Sequence, residues 1–351
     1  MPQRVSRLLL LGALYLALAS TGLAQRGGRG GAAATNNAEA NEFQDLLDET
    51  NALRRVSLAE AFIDAHKLST YRPQADQILA DQYTRNQDWA RVIATAERMQ
   101  RELSGARAQT KTPILTSALL AALRLNDLPR AMQFGDWIVT GDPTDINPYQ
   151  ILSSAIPELL PQDPAQRTAA LNKALDYATK GLTLQKPARV SEADWTGAQI
   201  KLRVAVAFIH LNMDQFLQAA TEYEAALKPS PKDAIAQFRM GMAYFLATQS
   251  QGQPFTSAVK AVADAVAAKA DAARIKELET KRDALATDIA GWRDHAVDAL
   301  ARSVAIGMAT NNPVTQPARQ QLEPLFRNQM PDAPAGALDK LIAEKKTELG
   351  L

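Results

Sequence analysis

From Phe43 onward, apolar residues recur every three or four positions almost without a break, and no stretch alternates apolar and polar residues as a half-buried strand would. The pattern predicts an all-α chain. Leu79, Ala80 and Tyr83, a turn at Asn86 to Asp88, and then Trp89, Val92 and Ala96 predict a helical hairpin over 73–103. Ile114 to Asn126 followed by Ala131 to Val139 predicts a second over 112–143, closed by the stop signal Gly141-Asp142-Pro143. Pro148 to Leu160 and Pro164 to Leu184 predict a third over 148–185, and a fourth covers 200–233. Asp127 and Asp214 fall in tight turns, where a short polar side chain is expected to cap the second helix.

The fourth hairpin is the most regular. Its second helix reads Ala219-x3-Tyr223-x2-Ala226-Leu227-x3-Pro231, and its first places Ala207 three residues before His210. Gly241 and Tyr244 repeat that last pair 34 residues later. Each position has a packing reason. A small residue lets two helix axes approach, a tyrosine fills the wider gap between them, and a proline ends the helix. This spacing resembles the tetratricopeptide repeat (TPR), and the resemblance extends more loosely over about 73–330. It departs at His210, where the family prefers an aromatic, and at Arg203, where a tryptophan is usual. The resemblance implies a TPR-like α-solenoid, a right-handed superhelix of helix–turn–helix repeats.

After Tyr244 the register breaks. A last repeat is expected from 234–248 joined to 292–307, with Gln249 to Pro254 as a loop and an insertion over 249–291. Val259, Val262 and Val266 recur at helical spacing within it, as do Ile275, Leu278, Leu285, Ile289 and Trp292. The insertion is therefore helical, either a hairpin or one long helix. Gln316 to Phe326 and Leu338 to Leu349 predict C-terminal capping helices over 316–350.

The N-terminal end changes the setting. Arg4 and Arg7, an apolar run from Leu8 to Ser20 and the small-x-small end Gly22-Leu23-Ala24 predict a signal peptide over 1–24. The helical domain at 43–351 is then joined to it by a flexible Gly/Ala/Asn-rich tether over 25–42. Export, to a periplasm, is the expectation, with no stable membrane insertion after cleavage. Removing Arg4 and Arg7 takes the 39 basic residues to 37, against 38 acidic ones. That balance argues against nucleic acid as a partner and against electrostatic membrane binding. The absence of cysteine excludes disulfides and thiolate metal sites.

Candidate chemistry is sparse. His66, His210 and His295 are far apart and outside any metal-ligand spacing, and the local acid–histidine pairs are Asp64 with His66 and Asp294 with His295. Ser257-x-x-Lys260 matches a Ser–Lys nucleophile pattern but lacks its companion motifs, and makes an envelope hydrolase only a remote alternative. No catalytic, cofactor or metal residues are assigned.

The resemblance implies that the first helix of each repeat lines an inner groove. That assigns Gln77, Asp81, Arg85, Thr116 and Arg124 to a polar part, and Val204, Phe208, Leu211, Phe238, Met242 and Phe245 to an apolar part further along the chain. The expected function is a non-catalytic exported scaffold whose groove holds a protein or peptide, as an amphipathic helix or an extended apolar segment. Two alternatives stand beside an open groove. The insertion or a C-terminal helix fills it, or the chain is a structural helical adaptor with a self-filled groove that assembles through the 255–290 insertion. Val204 and Phe208 stand where a lysine–asparagine carboxylate clamp would need polar groups, which disfavours that kind of ligand.

Overall fold

The computed structural model describes residues 36–103, 105, 107–188 and 190–351. The expected signal peptide and the tether as far as residue 35 lie outside the described residues. Every regular element among the described residues is helical, and the chain divides into two compact units, one ending at Leu159 and the other beginning at Leu160.

The first unit contains α1 (Asn36–Asp48), α2 (Ala52–Ala65), α3 (Arg72–Arg85), α4 (Trp89–Glu102), α5 (Ala108–Arg124), α6 (Leu128–Gly141) and α7 (Ile146–Ala155), closed by a 3-10 turn at Ile156–Glu158. Helix α1 begins inside the segment expected to be tether, because Phe43 and Leu46 are buried and Phe43 stacks on Tyr71 at 4.8 Å. Each helix packs on the next, and α3 also packs directly on α5. The hairpins expected over 73–103 and 112–143 are thus α3–α4 and α5–α6. The expected pair over 148–185 is divided by the unit boundary, with α7 in the first unit and α8 (Pro164–Thr183) in the second.

The second unit continues with α9 (Glu192–Asn212), α10 (Phe216–Leu227), α11 (Ala234–Ser250), α12 (Gly252–Ala267), α13 (Ala272–Thr310), α14 (Thr315–Gln329) and α15 (Ala337–Glu348). The insertion is a hairpin, with α12 as one arm and the start of α13 as the other. The second arm runs without interruption into the segment expected to complete the last repeat, so α13 is 39 residues long. The expected loop over 249–254 shrinks to Gln251, because α11 continues to Ser250 and α12 opens at Gly252.

One turn is built repeatedly. Gln87, Asn126 and Asp214 each take left-handed backbone with φ of 58°, 56° and 58°. The following N–H then donates back five residues, Asp88 to Tyr83 O at 2.8 Å, Asp127 to Ala122 O at 2.8 Å and Gln215 to His210 O at 2.9 Å. Asp88 and Asp127 go on to cap the next helix by accepting from Arg91 N and Arg130 N. Asp214 does not cap as expected: it occupies the left-handed position itself, and Gln215 is the cap residue without a side-chain bond.

A second device recurs in both units. Ala80 and Tyr83 carry the same small-x-x-aromatic spacing as Gly241 and Tyr244. Tyr83 Oη donates to Glu60 Oε1 at 2.6 Å, and Tyr244 donates to Glu224, so each tyrosine ties its helix to the one before it. Burial, helped by the adjacent carboxylate, pushes the Tyr83 hydroxyl up to about 12 and that of Tyr244 also upward. His210, at the aromatic position between them in sequence, is half-buried and binds the Gln215 side chain at 2.5 Å across the turn.

Ionic contacts that no local pattern reveals complete the packing. Arg72 and Asp76 are fully buried at 3.0 Å, and their remaining groups reach Glu102 at 2.6 Å and Arg98 at 2.9 Å, joining α3 to α4. Breaking one partner of such a set would strand a buried charge. In the second unit, Lys345 with Asp298 and Arg302 with Glu348, both at 2.7 Å, hold α15 on α13.

Gly241 lies where α11 meets α13. A Cβ there would stand 2.7 Å from Leu300 Cγ and 3.2 Å from Ala296 O, whereas one at Gly291, further up α13, meets nothing within 4 Å. Gly241→Ala therefore lowers the stability of the second unit by about 1–2 kcal/mol, the strain of overpacking less the gain in helix propensity. Gly291→Ala raises it by up to about 1 kcal/mol. Urea denaturation of the two variants reads both signs.

Candidate partner-binding face

Helix α3 buries Ala75, Asp76, Leu79, Ala80 and Tyr83 along one side, which turns Gln74, Gln77, Asp81, Thr84 and Arg85 to the other. Helix α5 buries Ile114, Leu115, Ala118, Leu119 and Ala122, and presents Thr116, Leu120 and Arg124 outward. The two helices pack directly on each other.

The α3 row is organised around Asp81. Gln77 Nε2 donates to Asp81 Oδ1 at 2.7 Å. Burial raises the Asp81 carboxyl above its ordinary value, against the opposing hydrogen bond from Gln77 and the charges of Arg85 and Arg55. The carboxyl is thus reachable by solvent yet partly dehydrated by its surroundings. Arg55 brings α2 to the same place.

Several polar groups here have unused bonding capacity. Gln77 Oε1, Thr84 Oγ1 and Arg55 Nε are buried without a hydrogen-bond partner. Arg85 and Arg124, the last residues of α3 and α5, make no hydrogen bond or ion pair among the described residues. A buried polar atom left unpaired costs roughly 1–3 kcal/mol, which an incoming donor or acceptor would relieve. The expected polar residues Gln77, Asp81, Arg85, Thr116 and Arg124 therefore share neighbouring helices. Arg55 escapes the sequence reading because α2 precedes the first repeat that carries a recognisable spacing.

The expected apolar residues belong to the other unit and are largely used in internal packing. Phe208 is 6% exposed, in a cluster with Ala207, Tyr223, Leu227 and Ala236, and the Arg239 guanidinium lies 3.7 Å from its ring centre. Val204 and Leu211 pack on the same cluster. Phe238 packs on the cluster of Val297, Leu300, Val304, Leu322 and Phe326, while Phe245 packs on Ala219, Ala243, Tyr244 and Ala296. Leu325 of α14 packs on both clusters. Met242 is half-buried. Helix periodicity marks these residues as one apolar face but is silent on a third layer supplied about 80 residues later.

The remaining candidates do not assemble. His66 Nε2 lies 2.7 Å from Glu42 Oε2 and not on Asp64, Asp294 accepts from Gln329, and His295 stacks on Tyr244 at 4.9 Å. Among the described residues no group of three histidine or carboxylate side chains is placed to hold a metal. Ser257 and Lys260 are exposed on α12, and Lys260 Nζ is 2.6 Å from Asp264, which leaves the serine without an enclosed base. A cavity of about 200 Å³ among α4, α5 and α6, lined in part by Gln100, Lys111 and Trp137, contains neither a carboxylate nor a histidine.

No family model and no curated protein matches the chain. Among solved structures, it is similar to a tetratricopeptide repeat protein from Parabacteroides merdae, at 10% identity and a TM-score of 0.41, covering 82% of this chain and 98% of that one. It is likewise similar to the C-terminal part of a TPR repeat-containing protein from Cytophaga hutchinsonii, at 13% identity and a TM-score of 0.40, covering 86% and 97%. The likeness is one of helical fold alone.

Two outcomes test this geometry. The Asp81 carboxyl titrates above its ordinary value in a carbon-detected NMR titration, and Arg85→Gln moves it further up. A carboxyl raised on folding favours the folded state below its unfolded value and loses that contribution as pH rises through the folded value, so Asp81→Asn stabilises the first unit at neutral pH. Phe238→Ala lowers the unfolding free energy of the second unit by about 2 kcal/mol, measured by chemical denaturation, because it vacates a core contact.

Proposed function

We propose that the chain is a non-catalytic helical scaffold that holds a segment of another protein on the outward face of α2, α3 and α5. The observation that carries this reading is the pair of guanidiniums, Arg85 and Arg124, without a hydrogen bond or ion pair among the described residues at the ends of adjoining helices, with Gln77 Oε1 and Thr84 Oγ1 unmet on the first of them. Arg85 and Arg55 lie beside the Asp81 carboxylate and Arg124 ends the adjoining helix, so basic groups outnumber acidic ones there and the segment it fits carries acidic side chains. An extended conformation would leave its backbone free to meet Gln77 and Thr84.

An apolar groove over Phe208, Phe238 and Phe245 has less support, since those rings already pack within the second unit. That packing favours the alternative in which the apolar face is filled from within the chain, with α14 rather than the insertion as the filler. Both can hold in one molecule, one unit presenting a polar face and the other covering its apolar one. For the setting we propose export, on the basic, apolar and small-residue pattern over 1–24.

The test is fluorescence anisotropy with a labelled, extended peptide rich in aspartate and glutamate. Binding is expected to weaken with salt and to fall at least about tenfold in Arg85→Glu/Arg124→Glu, with unchanged circular dichroism. No binding by the wild-type chain, or equal binding by the variant, would remove this face as the site.

A further inference from the structure

Helix α12 packs against α13 and makes little contact with α11, so much of its circumference meets water. Its inner side is Ala258, Ala261, Val262 and Ala265, of which Val262 is buried. The outer surface divides into two rows. One is Gln253, Ser257, Lys260 and Asp264, polar and exposed. The other is Thr256, Val259, Ala263, Val266 and Ala267, which carries no charge, and its two valines are 43% and 53% exposed.

A solvated helix face would normally be filled by long polar residues. Here the neighbouring arm at the start of α13 does carry them, with Arg274, Lys281 and Glu277 joined in exposed ion pairs. The valine row is an exception within its own hairpin. Unpaired β-branched residues on an exposed helix cost helix propensity and gain no burial, a cost that a neighbour covering them would offset.

We propose that this row is a seam on which two copies of the chain associate, α12 lying antiparallel to α12 of a second copy about a two-fold axis between Val262 and Ala263. Charge decides the occupant. Segment 252–291 holds six basic and six acidic residues, so a second hairpin meets no net repulsion. The polar row is also self-complementary. Lys260 and Asp264, one turn apart and 2.6 Å from each other, flank the seam within half a residue of symmetry about that axis. Antiparallel pairing sets Val259 against the second copy's Val266, and Lys260 beside the second copy's Asp264, each contact occurring twice as an isologous interface requires. Parallel pairing would place the two polar rows on opposite sides of the seam, out of each other's reach. The row spans a helix of 16 residues, about 24 Å long, which is a small interface and therefore a weak, concentration-dependent dimer.

Sedimentation equilibrium of the full chain over a range of concentrations tests the association. The wild-type chain is expected to shift toward dimer as concentration rises. Val259→Lys/Val266→Lys weakens the association at least about tenfold, the loss of some 1.4 kcal/mol or more. Lys260→Glu weakens it less, and Lys260→Glu/Asp264→Lys restores it. All four positions are exposed, so folding is unaffected, which circular dichroism checks. Because the chain has no cysteine, Ala263→Cys next to the axis forms a disulfide-linked dimer on oxidation, whereas Lys276→Cys on the other arm does not. A wild-type chain that stays monomeric, or a Val259→Lys/Val266→Lys variant that dimerises equally, overturns the proposal. Failure of the charge swap to restore association overturns the antiparallel order.

Discussion

The second unit depends on how closely α11 and α13 approach each other. With no side chain at Gly241, Leu300 of α13 fills the space a Cβ would need, and both helices contribute to clusters on either side of that crossing. Ser303 Oγ, fully buried, donates to Ala234 O at 2.8 Å and secures the start of α11 to the same helix. Helix α13 then serves as a spine. Its C-terminal half carries α14 and α15, and its N-terminal half extends past α11 to pair with α12. A continuous helix transmits this arrangement rigidly, since no proline or bulge interrupts it between Ala272 and Thr310.

Hairpins of this kind cannot bury their apolar sides alone, so each must borrow a surface from the next. The two units meet that requirement with the same parts, a left-handed turn residue, a small residue at the crossing and a tyrosine bonded to a glutamate on the preceding helix. They differ in what they leave over. The first unit leaves a polar row with unmet hydrogen-bonding capacity and a carboxyl that burial disfavours. The second packs Phe238 and Phe245 into clusters that Leu325 of α14 also joins. Groups retained at some cost to folding are natural candidates for recognition, because a ligand can supply what the fold does not.

Much of the helical course was legible before any tertiary information. The turns at Asn86–Asp88 and at Asn126–Asp127 fall where Asn and Asp interrupt a periodic pattern, since Asp88 and Asp127 cap the next helix and Asn126 tolerates the left-handed backbone that Gln87 supplies at the first turn. Ala207, Ala219, Tyr223 and Ala226 are all buried, as their spacing required. Other features were misread for identifiable reasons. Gln249 to Pro254 looked like a loop because Gly and Pro cluster there, yet Pro254 sits near the start of α12, where a missing N–H costs nothing. Polar Asn36 to Glu42 gave no sign of the stacking between Phe43 and Tyr71 that orders α1.

Local spacing alone therefore determined that this chain is helical, where most of its hairpins turn and which residues stand at the tightest crossings, because those features depend on neighbours within a few residues. Only the tertiary structure decided which outward rows remain open. Phe238 and Phe245, like Asp81 and Arg85, are assigned to a groove from local spacing, and nothing within a turn of either pair tells whether another helix packs over it. The difference is Leu325, about 80 residues beyond Phe245, and contacts at that range are set by how whole helices stack.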